Sequence, residues 1–169
     1  MDFELPLGDD ELDAAKMAVV EANGIVDGYV RAFAWRGSEM MAISAQHTTT
    51  HVAIAAWEWP SYFDPEVKMK GITLDISDWK RPSPESAPVN AKAAGLYMIC
   101  TLSKHAAEKK GFQDALMLDY RGYIAEATGA NVFFVDGEGT IHTPIADCFL
   151  DGITPVSYTH LTLPTIAKV

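Results

Sequence analysis

A chain of 169 residues, 49% hydrophobic and 21% charged, has globular composition and room for one ordinary domain or two small ones, which argues against disorder throughout. Its formal net charge of −10 argues against nucleic acid and anionic membrane as partners, because so acidic a surface gains nothing from counterion release or surface attraction. Cys100 and Cys148 lack CxxC spacing and read as reduced core residues; with no signal peptide at Met1-Asp2-Phe3 and no apolar run of membrane length, the chain is expected to be cytoplasmic.

Asp9 or Asp10 is placed to cap a helix in which Leu12, Ala15, Val19 and Ala22 recur along one face, with Asn23-Gly24 ending it. Residues 28–35 then read as a strand, and residues 40–44 and 51–57 as further strands of the same small sheet, giving an α+β unit. Tyr29 and Arg31, two apart on that strand, share one side of it, and an arginine fork suits a carboxylate; spacing alone favours an edge tyrosine beside a surface arginine. His47 and His51 flank three threonines, which favour extended chain over a helical ligand pair, so they read as solvated loop histidines and no metal site is expected. The aromatic run over residues 57–63, broken by Asp64-Pro65, reads as the boundary between domains, and residues 68–74 and 76–79 as strand material. A proline-punctuated loop over residues 81–88 delivers the chain to Lys92.

Lys92 lies among small residues at the expected start of a helix, where a lysine can be desolvated and its amine made nucleophilic. That helix carries Leu96, Ile99, Cys100, Ser103 and Ala107 on one face, opposes them with Thr101, Lys104, His105 and Glu108, and stops at Gly111. Residues 115–118 and 123–125 flank Asp119-Tyr120-Arg121-Gly122 as a hairpin, leaving Glu126 at the end of an apolar strand, where a carboxylate needs a cationic or donor partner. An amine followed by such a carboxylate is the equipment for pyridoxal phosphate, whose aldehyde takes the amine and whose ring nitrogen takes the carboxylate. Thr128-Gly129-Ala130-Asn131 is a tight turn whose backbone can approach a phosphate, and residues 132–135 and 140–143 form another hairpin. Leu150-Asp151-Gly152-Ile153-Thr154 then offers a leucine to pack on a ring, with backbone amides and a hydroxyl for an anion.

The wording of three blocks adds an identification. Ala91-Lys92-Ala93-Ala94-Gly95-Leu96-Tyr97, the stretch from Leu118 through Glu126 to Val135, and Leu150-Asp151-Gly152-Ile153-Thr154 together resemble the fold type IV pyridoxal phosphate enzymes, and among them the branched-chain amino acid aminotransferases, over nearly all of residues 3–154. The resemblance implies Lys92 as the residue that binds the cofactor and moves the substrate Cα proton, Glu126 at the pyridine nitrogen and Tyr97 at the ring oxygen. It places Gly129, Ala130, Leu150, Ile153 and Thr154 around ring and phosphate, and turns Tyr29 and Arg31 into substrate-binding residues. The implied reaction is transamination of leucine, isoleucine or valine with 2-oxoglutarate, in a homodimer or higher homo-oligomer when the protein is at full length.

On that resemblance residues 1–56 are the end of a small α+β domain, 57–65 a linker, and 66–155 the first part of a large cofactor-binding domain. Residues 156–169, a threonine-rich alternation of Tyr158, Leu161, Leu163 and Ile166, resemble a translated sequencing adapter and are expected to be a non-native tail. The family carries sequence at both ends that this chain does not, including a basic residue for the phosphate, so the chain as written is expected to be inactive. Two alternatives stay open: another activity on the same fold, a D-amino acid aminotransferase or an aminodeoxychorismate lyase, and a non-catalytic fragment or interaction module.

Overall fold

The computed structural model describes residues 1–2, 4–59, 65–161 and 166–168, and the chain divides into two compact units, residues 1–64 and 65–169. In the first unit, helix α1 (Asp9–Ala22) packs on an antiparallel pair, β1 (Tyr29–Arg36) and β2 (Thr50–Trp57), in unbroken register from Tyr29 opposite Trp57 to Arg36 opposite Thr50. The cap of α1 is Gly8, not an aspartate: Glu11 reaches back to accept the Gly8 N–H at 2.9 Å, which frees Asp9 and Asp10 to lie within the first turn, where the helix dipole favours them. Residues 40–44 form no strand. Their Met40-Met41-Ile43 alternation finds no neighbouring edge, because Gly37 N–H donates to Thr49 O at 2.7 Å and closes residues 38–48 off as the β1–β2 connection, with Met41 and Ile43 exposed. His47 lies in that connection, while His51 is on β2 with its ring stacked on Trp35 at 5.4 Å, so a loop placement for it is corrected.

Of the expected linker, Trp57 is the last residue of β2, and residues 60–64 lie outside the described residues. The second unit opens with α2 (Pro65–Lys70) where strand was expected; proline at a first helical position costs no hydrogen bond, and β3 starts later, at Leu74–Arg81. Strand β3 pairs parallel with β4 (Asp114–Asp119), and the crossover this demands is supplied by a short 3₁₀ turn (Ala94–Leu96) leading into α3 (Tyr97–Lys109). Helix α3 buries Cys100, Ser103 and Ala107 against β3 and β4, and it ends in a Schellman motif: Gly111, at φ 88°, donates to Glu108 O, and Phe112 donates to Ala107 O, both at 3.0 Å.

Strand β5 (Ile124–Ala127) returns antiparallel to β4. Its turn is held by the buried Asp119, whose carboxylate accepts the Arg121 and Tyr123 N–H groups at 2.8 and 2.9 Å, with Gly122 at φ 98°. Ala125 and Ala127 face inward, and Ala125 joins Cys148 and Phe149 in a small core. A second sheet follows: β6 (Phe134–Val135) antiparallel to β7 (Ile141–Thr143), with β8 (Ile166–Lys168) parallel to β7. The tail is thus no partnerless strand. Residues 153–161 form α4 (Ile153–Leu161), started by the Val156 N–H donating to Gly152 O at 3.2 Å with Pro155 in the first turn, and Ile166 lies opposite Ile141. No helix among the described residues is long and apolar enough to cross a membrane.

Candidate active site

Within the second unit, four stretches converge on a cavity of about 130 Å³. The chain leaving β3 brings Arg81; the approach to α3 brings Lys92, Leu96, Tyr97 and Cys100; the end of β5 and the turn after it bring Glu126 and residues 128–131, while Leu150 and Gly152 close the far side. Lys92 stands two residues ahead of the 3₁₀ turn, outside any helix or strand, and is exposed. The expectation of a desolvated, helix-borne lysine is therefore corrected: alanines and a glycine around it are too small to cover a long side chain, and they leave it reaching over the cavity mouth from a non-helical approach. Tyr97, the first residue of α3, is half-buried beside it.

Glu126 sits opposite the fully buried Met117 on the β4–β5 ladder. Burial pushes its carboxyl up from the ordinary 4.5 to about 7, while the Arg81 guanidinium pulls the other way. Arg81 is the cation that Glu126 requires, its Nε 3.2 Å from Glu126 Oε1 with both side chains largely buried. The angle there makes no hydrogen bond and leaves Nε without one, so Arg81 acts on Glu126 as a charge. Its Nη1 reaches Leu96 O at 3.4 Å and the Cys100 sulfur at 3.5 Å, which ties the guanidinium to the underside of α3. Burial also raises the Cys100 thiol, in keeping with a core residue.

Six of the eight residues expected around a cofactor, Lys92, Tyr97, Glu126, Gly129, Ala130 and Leu150, line this one cavity. Ile153 and Thr154 do not; they open α4 and are exposed, and it is Gly152 that lines the cavity. Tyr29 and Arg31 lie in the first unit, on one face of β1, and the Tyr29 ring is 5.1 Å from that of Trp57 and 5.8 Å from that of Trp59. Arg81 is a lining residue that sequence reasoning misses, and Asn131 and Gly152 are expected only through the backbone of their stretches. The demand of Glu126 for a cation is the signal for Arg81, hidden because the position before Pro82 reads as loop. Among the described residues, only Asp119, Asp147 and Cys148 approach closely enough to share a metal. Arg121 already bridges the two carboxylates at 2.6 and 2.8 Å.

The match to known proteins agrees with this arrangement. The model of the class IV amino-transferase family matches residues 2–159, and the chain belongs to that family. Its relatives include a probable branched-chain-amino-acid aminotransferase of Rickettsia conorii, 42% identical over 152 residues, covering 90% of this chain and 51% of that one. A branched-chain-amino-acid aminotransferase of Pseudomonas aeruginosa is 35% identical over 154 residues, 91% and 50% of the two chains. Among solved structures, the branched-chain amino acid aminotransferase of Escherichia coli superposes at a TM-score of 0.90 with 31% identity, over 98% of this chain and 56% of that one. The fold is thus that of the fold type IV aminotransferases, and the chain spans about half the length of the curated relatives it matches.

Proposed function

We propose that this chain carries the cofactor-binding machinery of a pyridoxal 5′-phosphate-dependent transaminase of branched-chain L-amino acids, with 2-oxoglutarate as the amino acceptor. The observation that carries the reading is the convergence of Lys92, Tyr97 and the Arg81–Glu126 pair on one cavity whose other walls include Leu96, Leu150 and the small residues Gly129, Ala130 and Gly152. That donor set fits the group: an amine for an aldehyde, a phenol for a ring hydroxyl, a carboxylate for a ring nitrogen, and backbone at Gly129, Ala130 and Gly152 that a phosphate can approach. When bound, pyridoxal phosphate supplies a carbonyl for the substrate amine and a ring that draws electron density from the substrate Cα.

The protein's own groups do the rest. Lys92, on its short-residue approach, would carry the substrate Cα proton at its Nζ, serving as base and then acid. Glu126 holds a proton on the ring nitrogen, and Arg81 favours the ionised form of Glu126 in a setting that would otherwise neutralise it. Tyr97 orients the ring through its hydroxyl. On the substrate side, Arg31 suits a carboxylate, and the Tyr29, Trp57 and Trp59 rings suit an aliphatic side chain. On this reading residues 1–56 belong to a substrate-side domain and residues 66–155 to a cofactor domain, and the working protein is a cytoplasmic homo-oligomer.

The test is a single-turnover half-reaction of the protein at full length, followed by absorbance at saturating cofactor. L-Leucine, L-isoleucine and L-valine should convert the aldehyde form to the amine form, with D-alanine leaving it unchanged. Conversion by D-alanine in preference to the L-amino acids would move the assignment to a D-amino acid aminotransferase.

A further inference from the structure

Two stretches of backbone wall the cavity opposite Lys92: the turn over residues 128–131 and the stretch Leu150 to Gly152. The first is well anchored. Ala127 N–H donates to Ala130 O at 2.8 Å, the Thr128 hydroxyl to Asp114 Oδ1 at 2.5 Å, and the Thr143 hydroxyl to Val132 O at 2.9 Å. Among the described residues, no backbone hydrogen bond joins this turn to the second stretch. One side chain does: Asn131 Nδ2 donates to Leu150 O at 3.2 Å. Its amide oxygen then occupies the space a side chain at position 152 would need; a Cβ on Gly152 would fall inside the Asn131 carboxamide and lie 3.5 Å from Pro155 Cδ. Gly152 is at an ordinary φ, so the requirement for glycine there is one of space and not of backbone conformation.

We propose that Asn131 is a positioning residue, a clasp that seats the Leu150–Gly152 stretch against the 128–131 turn and so sets the wall that faces the cofactor phosphate; the inference rests on the cofactor reading above. Neither group need touch substrate. Asn131 supplies the one donor that spans the gap, and Gly152 supplies the missing volume into which the carboxamide fits. An aspartate at 131 would set a carboxylate against the Leu150 carbonyl with no hydrogen to share, and an alanine would leave the gap open.

A double-mutant cycle on the 169-residue chain tests this. Gly152→Ala should lower the thermal midpoint because its methyl group collides with Asn131. Asn131→Ala in the same chain should recover most of that loss, since the obstacle is gone. The cycle is read without cofactor and so decides the clasp by itself: additive effects of the two substitutions would overturn it. The second readout, taken on the protein at full length, is affinity for pyridoxal 5′-phosphate against pyridoxal, which lacks the phosphate. Asn131→Ala should weaken the former about tenfold and the latter hardly at all. An equal loss for both would reduce Asn131 to a general structural residue. A wild-type protein at full length that takes up neither compound would overturn the cofactor reading, and the thermal cycle would still stand or fall separately.

Discussion

At the scale of residues, the proposed chemistry would divide between one exposed amine and one buried ion pair. Borohydride reduction of the cofactor-loaded protein at full length should fix the label to the peptide containing Lys92; label on Lys104, Lys109 or Lys110 would remove Lys92 from its role. For Glu126 the folded protein holds a proton that the unfolded chain releases, since its carboxyl stands at about 7 against an ordinary 4.5. A group raised in this way stabilises fully below its unfolded value, and that contribution is lost as pH rises through the folded one. Wild type should therefore lose stability between about pH 4.5 and 7, and Glu126→Gln should flatten that slope in a urea series. Arg81→Met leaves a buried carboxylate without its cation, a change that costs about 3–5 kcal/mol where the carboxylate must stay charged. The variant should be nearly as stable as wild type at pH 5 and clearly weaker at pH 8; an equal loss at both would show that Arg81 acts by packing. That Lys92, Tyr97 and Glu126 meet at one cavity can be expected from sequence because their neighbours form ordered blocks. The place of Arg81 cannot, since its partner stands on β5, beyond β4 in the sheet, a neighbourhood that no local pattern encodes.

At the scale of elements, the best-read segment is α3 with the hairpin after it. Burial of Cys100, Ser103 and Ala107 follows the apolar face in the sequence, and β4 alternates buried Ala115, Met117 and Asp119 with half-buried neighbours. The Schellman motif depends on Gly111 at φ 88°, so Gly111→Ala should cost about 1–2 kcal/mol, the penalty for a side chain in the left-handed region, read as a shift of the urea midpoint. An unshifted midpoint would mean that the end of α3 unwinds at no cost. Residues 40–44 and 68–70 mislead for the same physical reason: alternation of apolar and polar residues records only that one side is apolar, and a strand also needs a free edge to pair with. The tail misleads in the opposite sense. Its alternating leucines and threonines suit a strand, but a proline three residues past Gly152 is well placed in a first helical turn, and α4 forms.

At the scale of the whole molecule, much apolar surface is uncovered. On the first unit Phe33 and Trp35 stack on the open face of β1 at 5.5 Å, each 45% exposed. On the second, Tyr123, Ile124, Phe134, Val135 and Ile145 line a groove of about 680 Å³ apart from the candidate site. Patches of this kind drive association, so sedimentation velocity on the isolated 169-residue chain should show self-association that grows with concentration. A monomer at every concentration would mean the patches are too dispersed to bind. Such surfaces are invisible to a pattern reader, because the same aromatic side chain scores as core wherever it falls. The division of the chain at residue 64 carries one more implication, for how such a protein can change. Every residue assigned to the cofactor falls on the second side of that division, and every residue assigned to the choice of substrate on the first. In a selection from random libraries, changes of amino acid preference should therefore accumulate in residues 29–59, while positions 81–152 tolerate few replacements, so that specificity drifts under relaxed constraint and the catalytic apparatus is inherited intact.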